Sequence, residues 1–556
     1  MVRALYEKIR APIRGLHEAA YTLALLTLAS QALALLRDRA FAHAFGAGQT
    51  LDLYFAAFRI PDLIFALVAS LVSAYVLIPR LSHMPPARAR EMLSESVSFL
   101  LIVGGVLALC LAIFMPRVLA LLYPSLAASS EMSSFVGLAR LLLIQPIVLG
   151  ISGIITSVTQ VHRRFFLFAL SPVLYNIGIM AGVLLFYPRM GLEGIGVGVL
   201  FGAILHVAIH VPLLREHGMF PSFARPTYQT IAPLVMRSVP RSLALGIGSI
   251  TALVLTTLAA GLAEGSVSVF SFAGNLEAVP LSLIGASYAV AAFPALSEAS
   301  ADHTKERFTR ILSNSGRHLI LWSIISFGLI VVLRAHLVRV ILGTGAFDWD
   351  ATRLTAALLA ILSIGLAAQG LILLFFRALY AMRESWRPLL YQVVGGVLTI
   401  FGAYVLLSLP SDGFPSLVAR ALRVSDIPDA SVLLIAVALT AGNILIALLA
   451  TLRLSRLLPG LVGQFARPVM HGILAALAGA VGAYGVLSLL GSIAPLTTLF
   501  AVFADGFAAG VAGLLLCALT LHILKNEEFS DALKSAKHLL GAHAPAPPSA
   551  EEPARS

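Results

Sequence analysis

From Ser30 to Pro61 the chain reads SQALALLRDRAFAHAFGAGQTLDLYFAAFRIP. An apolar run that begins near residue 17 stops at Arg37, Asp38 and Arg39, and a second opens at Asp52, just past Gly46-Ala47-Gly48. Inside the second run Arg59 and Asp62 stand three apart, which puts them on one helix face within pairing reach. Pro61 between them kinks the helix and frees backbone carbonyls, as happens where a helix bends around a cavity. Two apolar stretches of about 20 residues joined by a short polar turn are the pattern of helices crossing hydrocarbon.

The pattern continues through the chain. Hydrophobic residues make up 59% of the 556, charged residues 12%, and the mean hydropathy is +0.93. A soluble domain of this size needs far more polar surface, so hydrocarbon is the implied solvent. About fourteen apolar runs of spanning length fall near 17–36, 51–79, 92–115, 133–158, 165–187, 191–214, 238–262, 266–296, 318–342, 351–380, 388–408, 431–452, 468–490 and 498–524. The expected fold is an all-α integral membrane protein. The net charge of +11 is not a nucleic-acid signature, because no Lys/Arg run carries interleaved aromatics. The cations sit instead in alternate gaps between spans, among them Arg80, Arg88, Arg163, Arg164, Arg215, Lys305, Arg383 and Arg453. About 27 of the 38 Lys and Arg fall on the side of both termini and about 9 on the other, which makes both ends cytoplasmic and the span count even. Residues 1–16 carry mixed charge and read as a cytoplasmic N-terminus without a cleavable signal. Residues from about 541, rich in Ala, Pro and Glu, read as a disordered tail.

Two short strings recur at nearly one offset. Ile78-Pro79-Arg80-Leu81-Ser82 returns as Phe293-Pro294-Ala295-Leu296-Ser297, and Pro172-Val173-Leu174-Tyr175-Asn176 as Pro388-Leu389-Leu390-Tyr391-Gln392. Each match lies six spans from its partner, which argues for a duplicated six-helix unit in one orientation. The expected divisions are a lobe at 17–214, a second at 215–455, an appended helix pair at 456–526 and a cytoplasmic tail at 527–556.

No phosphate loop, HExxH or GxSxG occurs, and no histidine pair has metal-ligand spacing within a span, so neither an enzyme, a cofactor nor a metal site is expected. Cys110 and Cys517 lie in apolar runs about 400 residues apart and suggest no disulfide. Gly194, Gly198 and Gly202 recur every four residues and read as a close-packing face. Ionisable groups in apolar runs are costly without a partner and carry the functional signal. They are Arg37, Asp38, Asp52, Arg59, Asp62, Arg140 and Glu277. Two readings stand side by side: structural ion pairs at an interface, or cations facing an anionic headgroup in a cavity. Arg140, the most isolated charge, is assigned to the second.

The stretch 30–61 resembles the first helical hairpin of the MurJ (MviN) family of lipid II flippases. Arg163-Arg164-Phe165-Phe166, Ser171 to Asn176, Gly265 to Ser268 and Tyr380 to Glu384 follow in the family's order. The resemblance implies two six-helix lobes forming a V around a central cavity, with two further helices making a groove for a lipid tail. It implies a transporter of the bacterial inner membrane, moving an undecaprenyl-pyrophosphate-linked peptidoglycan precursor, lipid II, to the outer leaflet by alternating access, with a monomer as the default. Where the family carries cavity arginines this chain has Gln31, Phe65 and Asn275. Each charge-assisted contact to phosphate is worth about 1.5–3 kcal/mol, so the headgroup contacts expected to remain are Arg37, Arg59 and Arg140, with Asp38, Asp52, Gln31, Asn275 and Glu277 about the same cavity. Two alternatives stay open: a related exporter of another lipid-linked oligosaccharide or amphiphile, and a non-transporting scaffold descended from a flippase.

Overall fold

A computed structural model describes residues 16–539 apart from 73, 163, 303, 428–429 and 492–497. Arg163, the first fifteen residues and the tail from 541 lie outside the described residues. Among those described, eleven unbroken helices are long and apolar enough to cross a membrane, and two bent pairs bring the number to thirteen. The helix Leu16–Phe45 occupies the place of the first expected span. In chain order these are α1 (Leu16–Phe45), α2 (Gln49–Leu67 with Ala69–Leu81), α3 (Pro86–Leu122), α4 (Met132–Val161), α5 (Phe166–Met190), α6 (Leu192–Glu216) and α7 (Tyr228–Ala260). There follow α8 (Ser266–Ala301), α9 (Lys305–Ile341), α10 (Trp349–Ile364 with Leu366–Ala381, bent by 45°), α11 (Trp386–Leu407), α12 (Val432–Leu457), α13 (Val462–Leu490) and α14 (Leu499–Ile523). A last helix, α15, spans Glu527–Leu539.

Several helices outrun the apolar stretches that mark them. α9 starts at Lys305, and its first turns carry Arg307, Arg310 and Arg317 before the apolar part begins. A 37-residue helix is roughly 55 Å long against a hydrocarbon core of about 30 Å, so its charged turns project into water. The surface also reports its solvent. In the most apolar stretch of α3 only 22% is buried, and Leu109, Ile113 and Leu121 stand largely exposed. Apolar faces of this extent are stable against lipid and not against water.

Hydrocarbon offers no hydrophobic drive between helices, so close backbone approach does the work of packing. α5 and α6 show it. A Cβ on Gly178 would lie 2.2 Å from Gly202 Cα, and one on Gly198 2.2 Å from Gly182 Cα. The glycine stripe of α6 is therefore a contact face, and a methyl group there forces the helices apart. α1 packs on α5, α2 on α7, α7 on α11 and α11 on α12, while α13 and α14 pack chiefly on α9 and on each other. Arg317 of α9 holds α15 through Glu527 and Glu528 at 2.5 and 2.6 Å.

Candidate functional site

α1, α2, α4 and α5 face α7, α8, α10, α11 and α12 across a cavity of about 650 Å³. The first group supplies an aromatic and cationic wall with Phe41, Tyr54, Phe58, Arg37 and Arg59, together with Asp62. The second supplies amides and hydroxyls, chiefly Asn275, Gln392, Asn443, Thr251 and Thr399, and one carboxylate, Glu277. Among the described residues, the two arginines lining the cavity thus come from α1 and α2.

Each expected site residue has a definite place. Arg37 donates from Nη2 and Nε to Asp38 Oδ1 at 2.7 and 3.0 Å, and from Nη1 to Asn176 Oδ1 at 3.0 Å. Asp38 is buried behind it, and its other oxygen accepts from Asn275 Nδ2 at 2.9 Å. Arg59 donates from Nε to Thr256 Oγ1 at 2.8 Å. The expected Arg59–Asp62 pair does not close to ion-pair distance, although both groups line the cavity. Gln31 lies beyond the lining and donates to Ser282 Oγ at 2.9 Å. Glu277 is buried and accepts from Gln369 Nε2 at 2.5 Å. Phe65 is 41% exposed, so its side chain completes no polar site.

Two residues stand elsewhere than expected. Arg140 is exposed, outside the cavity, and donates from Nε to Ala112 O of α3 at 2.9 Å. The buried face of α4 carries Phe135, Leu138, Ala139 and Leu142, and at 100° per residue Arg140 falls off that face. Asp52 is also no cavity group. It accepts from Gly265 N at 2.7 Å, Ser268 N at 2.8 Å and Ser268 Oγ at 2.5 Å. Those N–H groups belong to the start of α8, where a helix leaves its first donors unpaired and favours negative charge. The arrangement is reciprocal, since Glu264 ahead of α8 accepts from Gln49 N at the start of α2 at 2.9 Å.

The same end of the bundle is shut by further contacts. Ala346 N donates to His43 O at 3.1 Å, and Arg39 Nη1 donates to Val340 O at 2.6 Å. Gly46 takes φ +64° and Gly265 φ +86°, and a Cβ on either would lie 2.5 Å from a carbonyl oxygen of Ala346 or Ala47. Glycine is needed at both for the left-handed backbone and the close approach.

Sequence reasoning named Asn275 but missed the rest of the neutral half of the site. Asn176, Gln145, Gln369, Gln392 and Asn443 are amides within spans, a signal as available as the charges were. Ser271 Oγ and Gln145 Oε1 line the cavity, buried and without a hydrogen-bond partner among the described residues. No group of three or more His, Cys, Asp or Glu that could hold a metal occurs among those residues.

This membrane-embedded helical bundle around a central polar cavity has the fold of solved structures of the MOP superfamily. The solved structures most like this chain include a lipid II flippase MurJ in an inward closed conformation (TM-score 0.71, 19% identity, 91% of this chain and 99% of that one) and an inward-facing multidrug resistance MATE transporter of the MOP superfamily (TM-score 0.62, 16% identity, 79% and 99%). The family model for the lipid II flippase MurJ matches residues 41–503, and the chain belongs to that family. Curated relatives include the lipid II flippase MurJ of Burkholderia cenocepacia, 23% identical over 71% of this chain and 79% of that protein. A probable lipid II flippase MurJ of Bdellovibrio bacteriovorus is 27% identical over 70% and 76%. The chain is a transporter and not an enzyme.

Proposed function

We propose that this chain is an alternating-access flippase that moves lipid II from the inner to the outer leaflet of the bacterial cytoplasmic membrane. The observation that carries the reading is the cavity's division into an Arg37/Arg59 wall and an amide wall. Guanidinium groups bind phosphate oxygens through charge-assisted bonds, while aromatic faces and amides suit sugars and peptide. A diphosphate and its glycan cannot cross hydrocarbon unaided, whereas the polyprenyl tail stays in lipid. In this reading residues 17–214 and 215–455 act as two rocking lobes, and 456–526 form a groove for the tail. Both termini are cytoplasmic, so the end closed by Asp52 and Glu264 faces outward and the cavity loads from the cytoplasm. The working unit is a monomer.

A second reading, export of a lipid-linked headgroup with less negative charge, is favoured by one observation: Gln31, Phe65 and Asn275 bring no cation to the cavity, and Arg140 lies outside it. Complementation separates the two. The chain is expressed in a bacterium whose own lipid II flippase can be switched off, beside a variant carrying Gln31→Arg, Phe65→Arg and Asn275→Arg. Rescue by the natural chain establishes lipid II export with two cavity arginines. Rescue by the variant alone means that the cavity is tuned to another headgroup.

A further inference from the structure

The offset of 215 residues that relates Ile78–Ser82 to Phe293–Ser297 also relates Asp62 of α2 to Glu277 of α8. Both carboxylates line the cavity. The same offset sets Arg59 against Gly274, so the carboxylate stands in both copies and its arginine, three residues earlier, in one. Charge around the cavity is accordingly uneven. Arg37 and Arg59 supply two cations, and Asp38, Asp62 and Glu277 three carboxylates. Arg37 is matched by Asp38, and Arg59 stands three residues from Asp62 on one helix. Glu277 has neither. Its hydrogen-bond donor is the neutral Gln369, and no cationic side chain lies at ion-pair distance among the described residues.

Among the described residues, the polar and titratable groups around the same cavity are few. α1 brings Arg37 and Asp38, α2 brings Tyr54, Arg59 and Asp62, and α5 brings Tyr175. From α7 come Thr251 and Thr256, from α10 Gln369, from α11 Gln392 and Thr399, and from α12 Asn443. A carboxylate buried at membrane depth without a cation is costly, and a cation must complete it. A hard metal ion gathers about six oxygens, but Glu277 is met by an N–H donor and no metal-holding cluster occurs among the described residues. A proton needs one oxygen, and the carboxyl has a second one available.

We infer that Glu277 is a proton-binding site of the cavity and that its proton is linked to the binding of an anionic headgroup. The linkage rests on the flippase reading; the proton site itself does not. A diphosphate entering beside Glu277 adds negative charge and raises the carboxyl's affinity for its proton. By reciprocity a falling pH then tightens headgroup binding. Gly274→Arg tests the argument from the other side. A Cβ at Gly274 meets nothing within 4 Å, so a side chain can enter the cavity there, and an arginine would bring Glu277 the cation it lacks and favour its ionised form.

Infrared difference spectra of the purified full-length protein read the protonated carboxyl directly. The wild type is expected to show a protonated carboxyl band at neutral pH that disappears in Glu277→Gln and in Gly274→Arg and survives in Asp62→Asn. In parallel, a polyprenyl diphosphate is titrated against the protein in nanodiscs, with the neutral polyprenol as control. Its affinity is expected to fall by up to about tenfold per unit rise in pH, the limit for one linked proton, over the range above neutrality where Glu277 of the free protein gives up its proton, and to lose that slope in Glu277→Gln. A wild type without the band, or a band kept in Glu277→Gln, overturns the proton site. An unchanged slope in Glu277→Gln overturns the linkage. If the band behaves as expected while the diphosphate fails to bind, the proton site stands and the lipid reading falls.

Discussion

Replacing Asp52 by Asn should loosen the closed end of the bundle without disturbing its shape. Asn keeps the volume of Asp, so α2 loses no packing, but one oxygen becomes an N–H₂ group facing the donors of α8. Asp52 accepts three hydrogen bonds there, at 2.7, 2.8 and 2.5 Å. Bonds to a charged group contribute about 1.5–3 kcal/mol each, and those to a neutral one about 0.5–1.5. At least one bond is lost outright and the others fall to neutral strength, while the charge at a helix N-terminus is removed as well. The closed state should lose roughly 3.5–6 kcal/mol relative to the open one. At 1.4 kcal/mol per factor of ten, the open population rises by about 300-fold to 10,000-fold. Spin labels at Ser130 and Asp412, in the α3–α4 and α11–α12 connections, would read this as a longer-distance population in double electron–electron resonance. A closed state too deep for one substitution to empty is addressed by adding Glu264→Gln, which weakens the reciprocal bond to Gln49 N. If the double variant keeps the wild-type distance distribution, the two carboxylates do not hold this end shut.

Further outcomes follow from other contacts. Arg140→Ala should change transport less than twofold in a proteoliposome assay, because the side chain is exposed and reaches only Ala112 O. Gly198→Val should destabilise the α5–α6 contact by several kcal/mol, as overpacking does when backbone must move; a fall in the unfolding midpoint in detergent checks it. Arg317→Ala should release α15 from α9, seen as faster amide exchange across Glu527–Leu539 with the spans unaffected. Asp426, in the connection before α12, is held down to about pKa 2 chiefly by its hydrogen bonds from Arg353. A depressed carboxyl stabilises the fold above its ordinary range and loses that contribution as pH falls through its folded value. The Arg353–Asp426 contact should therefore persist at neutral pH and be lost between about pH 4 and 2, a loss that Asp426→Asn removes when stability is followed by thermal unfolding across that window.

Which parts of this were legible in the sequence depends on how hydrocarbon constrains it. Spans must be apolar along their whole length, so their positions show plainly, down to the glycine-rich 191–214, which forms α6. The same demand erases phase. A lipid-facing helix is apolar all round, so no periodic stripe says which side of α4 looks inward, and Arg140, expected in the cavity, lies outside it. Cost was legible where partner was not. Asp52 in an apolar run needs a partner, but that partner is backbone at Gly265 and Ser268, more than 200 residues away, and backbone donors leave no mark on a side-chain pattern. Hydrated extensions such as the first turns of α9 were missed because hydropathy measures the membrane and not the helix.

The proposed duplication ties together two features that neither helix explains alone. α2 breaks at Val68, and α8 passes into a wider π-helical turn over Leu281–Ala286. At the repeat offset of 215 these are the same place, so both helices lose regular geometry about one to two turns past their cavity carboxylates. Irregular turns recur where a helix must bend or carry a functional group. In the proposed two-lobe reading, packing and bending tie that position to its twin, because a lobe with a stiffer second helix would swing differently. Charge is under no such tie, and there the copies have parted: Arg59 remains on the first and Gly274 stands on the second. The first copy's carboxylate thereby keeps a cation on its own helix, and the second's has none, which is why the proposed proton site falls on Glu277 and not on Asp62.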